Sequence, residues 1–372
     1  MSVGSRDPWI DMLRGVSILL VLLHHFSIAY HLPQSPLGWL FTPDAVRAVV
    51  RNGNYGVTMF FVISGFLITS NALRRWGTLS AVRASSFYRL RVARIAPCLL
   101  LLLAIVAILS ACGLRMFQTG HAENGAPVSP WLVYAAALGF WMNVLIVHYG
   151  WVNYALGVLW SLSVEEVFYL TFPLLCLLRR PAIIATIWCV VILAAPFWRA
   201  AHQDDLESYL YAFPAAADGI AIGCLAAMAA ARMGDARRIP GALRLLAAVL
   251  MAILYLSASI GRTNIWGVTA MAVGTAILLL PRGSRAGQGG ARTGWLRWLG
   301  RQSYELYLFH LVVLALLRST WAPAQANGTA VMVLLGVYLV LCALLAAAIA
   351  RFVAEPANAA IRRFGTMRIV AA

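Results

Sequence analysis

The 372 residues include no lysine, and charged residues of every kind make up only 11% of the chain. A soluble domain carries nearer a quarter, so a globular fold surrounded by water is excluded. Acids are scarcer than bases, 13 against 29 arginines, which leaves a net charge of +16. The six cysteines (Cys98, Cys112, Cys176, Cys189, Cys224 and Cys342) form no C-x-x-C pair and no metal-ligand spacing. They read as small core residues, and no metal site is expected. A cleavable signal is also missing: the first apolar run begins near Trp9, lacks a small-residue cleavage site and leads into further runs. No internal repeat is visible, and the one low-complexity stretch, 281–294, reads as a flexible cytoplasmic loop.

What is abundant is hydrocarbon, with 62% hydrophobic residues and a mean hydropathy of +0.81. A spanning helix needs about 20 apolar residues. Apolar runs fall at about 9–30, 55–73, 95–113, 131–149, 164–178, 181–198, 209–231, 242–259, 264–281, 302–317 and 329–350, eleven in all. The expected fold class is an all-α polytopic membrane protein. The arginines sit between the runs, where cytoplasmic loops carry them. Contact with membrane lipid or a phosphate-bearing cofactor is therefore expected, and nucleic acid is not.

The arginines also orient the chain. The loop 74–94 holds Arg74, Arg75, Arg83, Arg89, Arg91 and Arg94, so it and the N-terminus are placed in the cytoplasm. If all eleven runs crossed, Arg232, Arg237 and Arg238, then Arg282, Arg285, Arg292 and Arg297, then the C-terminal arginines would face outward. If one run between 131 and 178 fails to cross fully, all of these return inside, with 22 arginines cytoplasmic and 6 outside, Arg14 within the first span being left out of the tally. The expectation is about ten transmembrane helices, both termini cytoplasmic, and one broken or re-entrant segment around 131–163. Non-helical backbone at membrane depth is tolerated only inside protein or beside a wet cavity.

Polar residues within the apolar runs mark candidate chemistry. In "LRGVSILLVLLHHF" (13–26), Arg14 and His25 are eleven residues apart, which brings them within about 20° of one helical stripe and about 16 Å apart along the axis. His24 lies about 80° off that stripe, and Asp11 is Arg14's neighbour one turn earlier. The spacing favours His25 over His24 as the functional partner. In "WSLSVEEVFYL" (160–170), Ser163 and Glu166 have capping-box form and place a helix start there; Glu165 has no such structural excuse. In "GRQSYELYLFHLVV" (300–313), His310 sits mid-run with Tyr307 and Ser303 on its face, and a structural and a catalytic role are both open. Arg91 and Arg94 are one turn apart ahead of Pro97, either as ordinary anchors or as a fork for phosphate oxygens.

Arg14-x10-His25, "GVTMFFVISGFLIT" (56–69), "RLRVARIAP" (89–97), "WSLSVEEVFYL" (160–170), "SYELYLFHL" (303–311) and "AEPANAAI" (354–361) follow one another over nearly the whole chain. In this order they resemble the acyltransferase-3 family of bacterial membrane O-acyltransferases. The resemblance implies transfer of an acyl group, usually acetyl from acetyl-CoA, to a hydroxyl of a cell-surface or exported glycan, in the bacterial inner membrane. It makes Arg14 and His25 the functional pair and Glu165 the motif acid, with Arg91 and Arg94 near the CoA phosphates. Asp11, His24, Ser64, Trp160, Ser163, Tyr307 and His310 are expected to line the cavity. His25 would serve as general base or, in a variant mechanism, carry the acyl group. A single integral-membrane domain over 1–372 is expected, without the extracytoplasmic hydrolase domain fused to some members. Two departures stand out. Thr58 occupies a position where many relatives have Asp, and Ala216 one where they have Arg, so Asp218 loses that partner and is given no catalytic role. A small-molecule glycoside or lipid acceptor is the alternative within this reading, and a transporter or flippase the alternative outside it.

Overall fold

In hydrocarbon every backbone N–H and C=O must find its partner within the protein, which drives long apolar runs into helices. The computed structural model describes residues 7–233, 238–281, 293–326 and 328–370. It is about 83% helical, with no strand among the described residues. The helices in chain order are α1 (Pro8–Tyr30), α2 (Pro36–Phe41), α3 (Pro43–Val50), α4 (Asn54–Trp76), α5 (Ala84–Ala111), α6 (Pro130–Leu138), α7 (Met142–Tyr149) and α8 (Leu159–Cys176). They continue with α9 (Pro181–Ala201), α10 (Leu206–Tyr211), α11 (Phe213–Met233), α12 (Gly241–Ser257), α13 (Ile260–Leu279), α14 (Gly294–Arg301), α15 (Ser303–Thr320), α16 (Thr329–Ile349) and α17 (Glu355–Val370). A π-helical turn, Ala350–Ala354, joins α16 to α17.

Among the described residues, seven helical stretches are both long and apolar enough to cross a membrane: Pro8–Tyr30, Pro43–Trp76, Ala84–Ala111, Leu159–Cys176, Pro181–Ala201, Leu206–Met233 and Thr329–Arg363. The expected ten are not reached by these two measures. Helix α12 has only 17 residues, α13 carries Arg262, Thr263 and Asn264 near its start, and α15 dilutes its apolar run with Ser303, Tyr304, Glu305 and His310. The segment expected to be broken is broken. The run 131–149 becomes α6, of nine residues, and α7, of eight, interrupted at Phe140, whose φ is 59°. At about 1.5 Å per residue neither reaches across a hydrocarbon core of about 30 Å. The stretch 281–294, expected to be a loop, lies almost wholly outside the described residues.

The chain forms two compact units, Met1–Ser80 with Arg179–Ser303, and Ala81–Leu178 with Tyr304–Ala372. The first is built on close helix contacts at glycine. Gly219 and Gly223 form a G-x-x-x-G stripe on α11; a Cβ on Gly223 would strike the Val62 carbonyl of α4, and one on Gly65 of α4 would strike the Ile220 carbonyl. Small residues let backbones approach where lipid offers no hydrophobic drive. The same device seats α1 against α14, with Gly15 on the Leu296 carbonyl and Gly300 on the Asp11 carbonyl. An apolar core of Leu13, Tyr55, Val62, Phe66, Ile222, Met271 and Leu278 fills the centre of this unit.

In the second unit α5, α8 and α15 are pinned by tyrosine hydroxyls. Tyr88 donates to the Leu170 carbonyl at 2.7 Å and Tyr304 to the Ile95 carbonyl at 3.1 Å. Large apolar side chains such as Leu193 and Phe197 on α9, and Val340 and Leu344 on α16, remain exposed. That is the surface a lipid-embedded protein presents.

Candidate functional site

Helix α1 carries the first set of candidates. Pro8 opens it, and the Asp7 carboxylate caps it by accepting from the Trp9 N–H at 2.9 Å. It ends at His31, whose φ of 49° puts a non-glycine residue in the left-handed region. The helix is continuous between these points, so Arg14 and His25 do share a stripe; both are half-buried. Arg14 donates through Nε and Nη2 to the Ser303 hydroxyl, at 3.0 and 2.8 Å. That hydroxyl is thus turned to Arg14, and Ser303 stands at the start of α15. Asp11 sits half-buried with its carbonyl against Gly300, and Ser64 is half-buried on α4.

The imidazoles are held by backbone oxygens. His25 Nδ1 is 3.0 Å from the Val21 carbonyl and His24 Nδ1 is 2.8 Å from the Val50 carbonyl. A carbonyl can only accept, so in each neutral ring the proton sits on Nδ1 and the lone pair on Nε2. The two rings meet edge to face, with centroids 5.4 Å apart. Gly53 packs against the His24 ring, where no larger residue would fit.

The second unit carries the rest. Glu165 accepts from the Tyr169 hydroxyl at 2.8 Å, one turn along α8. Arg91 lies over the rings of Phe87 and Tyr169, 5.7 and 5.4 Å from their centroids, whereas Arg94 is exposed. One arginine is therefore stacked and the other reaches solvent, although they are neighbours on α5. Ser161 donates to the Tyr307 oxygen at 2.7 Å, and the ring of His310, which is completely buried, lies 5.8 Å from that of Tyr307. His310 Nδ1 is 2.7 Å from the Tyr307 carbonyl. Trp160 is buried on the first turn of α8.

The capping expectation at Ser163 and Glu166 fails. Helix α8 begins at Leu159, four residues earlier, because the loop before it already turns at Asn153, whose side chain accepts from the Leu156 N–H. Ser163 instead accepts from the Met142 N–H at 3.0 Å, satisfying the first residue of α7. It thereby braces the broken segment. Glu166 is buried inside α8 with its Oε1 unpartnered.

Two features were missed in the sequence. Asp218 does have a cationic partner, from another helix: Arg199 Nη2 is 2.9 Å from its Oδ2, and both side chains are fully buried. Arg199 also donates to the Ala215 and Ile265 carbonyls and to Thr269. The pattern hid this because Arg199 lies just past the end of the run 181–198, beside an acidic stretch; α9 continues to Ala201 and takes it inside. The second is a cavity of about 310 Å³ near the end of α1, lined among others by His24, Arg47 and Arg51. No linear signal joins those positions.

Residues 7–351 match the acyltransferase domain that defines the acyltransferase-3 family. The chain belongs to that family. It is 26% identical over 345 residues to "Putative peptidoglycan O-acetyltransferase YrhL" of Bacillus subtilis, covering 87% of this chain and 50% of that one. It is 26% identical over 168 residues to peptidoglycan O-acetyltransferase OatA of Listeria monocytogenes, covering 45% of this chain and 23% of that one. The chain thus spans half or less of the length of these curated relatives. No solved structure matches it.

Proposed function

We propose that the protein transfers an acetyl group from acetyl-CoA to a hydroxyl of a cell-envelope glycan. The observation that carries this reading is the imidazole of His25, oriented by the Val21 carbonyl on the apolar helix it shares with Arg14. The acceptor O–H attacks the thioester carbonyl while His25 Nε2 takes its proton. The C–S bond then breaks, and the departing CoA thiolate recovers a proton, so the enzyme ends as it began. Arg14 stabilises the charge that develops on the thioester oxygen. Glu165 orients a cationic or imidazole group, and Arg91 and Arg94 receive the CoA phosphates. Peptidoglycan, named for both relatives, is the first acceptor to try. The topology that accompanies this reading is ten crossings of the bacterial inner membrane, with α6 and α7 re-entrant and both termini cytoplasmic.

The experiment uses purified protein in detergent with radiolabelled acetyl-CoA and purified peptidoglycan. Acceptor-dependent release of CoA, with label in the glycan, is the expected result. Consumption of no acyl donor with any glycan, together with movement of a glycan precursor across reconstituted vesicles, would replace the enzyme by a transporter.

A further inference from the structure

The cavity at the C-terminal end of α1 is lined by both apolar and polar side chains. Its polar lining comes from His24, Ser27, His31, Gln34, Arg47 and Arg51, and no acid is among the lining residues. Its volume, about 310 Å³, is that of the smallest pockets that hold small molecules. Arg47 is paired with Asp44 at 2.7 Å on an exposed face. Arg51 donates through Nη2 to the Leu256 carbonyl at 2.7 Å, while its Nε is buried without a hydrogen-bond partner. Guanidinium groups in a cavity wall favour an anionic oxygen as their partner.

The cavity also adjoins the proposed chemistry. His24 is part of its wall, and the His24 ring touches that of His25. With its proton on Nδ1 committed to the Val50 carbonyl, His24 offers Nε2 as an acceptor for a sugar hydroxyl.

We propose that this cavity is the acceptor subsite and that it selects an anionic sugar, one bearing a carboxylate or phosphate, through Arg47 and Arg51. The proposal rests on the acyltransferase reading for its purpose, but its test does not depend on turnover. The full chain is prepared with Cys112 and Cys189, the two exposed cysteines, changed to Ser and with Ser27→Cys in the cavity. Labelling rates are compared for an anionic thiosulfonate (ethylsulfonate) and a cationic one (ethyltrimethylammonium). A focused positive field raises the local concentration of an anion by about tenfold or more.

The expected result is faster labelling by the anionic reagent, lost in Arg47→Gln and Arg51→Gln. Glucuronate should slow the labelling, and glucose should not. Arg47→Gln carries the test if Arg51→Gln, which breaks the bond to Leu256, does not fold. Equal rates for the two reagents, or equal protection by glucose and glucuronate, would overturn the proposal. Protection by phosphatidylglycerol vesicles but not by glucuronate would also overturn it, in favour of a lipid headgroup. A protein that shows the expected protection yet consumes no acetyl-CoA would retain the subsite and lose the enzymatic reading.

Discussion

His25 is a histidine whose tautomer is dictated by geometry. Its Nδ1–H meets the Val21 carbonyl one turn earlier on the same helix, so the basic nitrogen is Nε2 and the ring cannot turn without losing that bond. Such second-partner control is what a general base requires. A different residue-scale effect operates at Asp205, in the turn before α10. There the Ser208 side chain and backbone N–H, the latter 3.1 Å from Oδ1, hold the carboxyl below the usual carboxylate range. The folded pKa is lower than the unfolded one, so the cap contributes fully above the ordinary aspartate range and is lost as pH falls through the lowered value. Asp205→Ala should cost about 1 kcal/mol of local stability at neutral pH, seen as faster amide exchange in α10, and the difference from wild type should vanish in acid.

At the scale of elements, α9, α11 and α13 are joined by one buried charge cluster. Arg199 on α9 reaches Asp218 and the Ala215 carbonyl on α11, and Thr269 and the Ile265 carbonyl on α13. Removing one partner leaves a buried charge uncompensated, at a cost of about 3–5 kcal/mol. Arg199→Ala should lower the thermal midpoint in detergent sharply, and Asp218→Asn added to it should restore part of the loss. No restoration would mean that the arginine acts through packing alone. This cluster was the least legible element in the sequence, because it joins residues 19 apart and then 51 apart along the chain. The long apolar helices, in contrast, were legible as apolar runs, seven of them among the described residues long and apolar enough to cross a membrane, and α6 and α7 divide the segment in which a break was expected. The helix start at Leu159 was not, since Ser163 and Glu166 satisfy a capping pattern that the Asn153 turn pre-empts. Local pattern reads bonds between near neighbours; it cannot see a hydroxyl spent on another helix.

For the molecule as a whole, the proposed functional residues fall in two compact units, with Arg14 and His25 in one and Glu165, Arg91 and Arg94 in the other. The α1 stripe was legible as spacing; the cavity was not, since its lining gathers α1 and α3 with the turn between them. If both units serve one chemical step, their mutations will not be additive. In a cycle of His25→Ala, Glu165→Gln and the double variant, turnover of the double should be no lower than that of the slower single. Full multiplication of the two losses would assign the residues to separate steps.

The most direct measurement is the acetyl-CoA turnover number of His25→Ala beside that of His24→Ala, with peptidoglycan as acceptor and folding checked by thermal midpoint. Loss of a general base lowers a rate by about 10²–10⁴-fold. That loss is expected for His25→Ala with little change in KM for acetyl-CoA, and for His24→Ala a rise in acceptor KM with turnover largely kept. A His25→Ala protein that turns over at the wild-type rate would contradict that expectation.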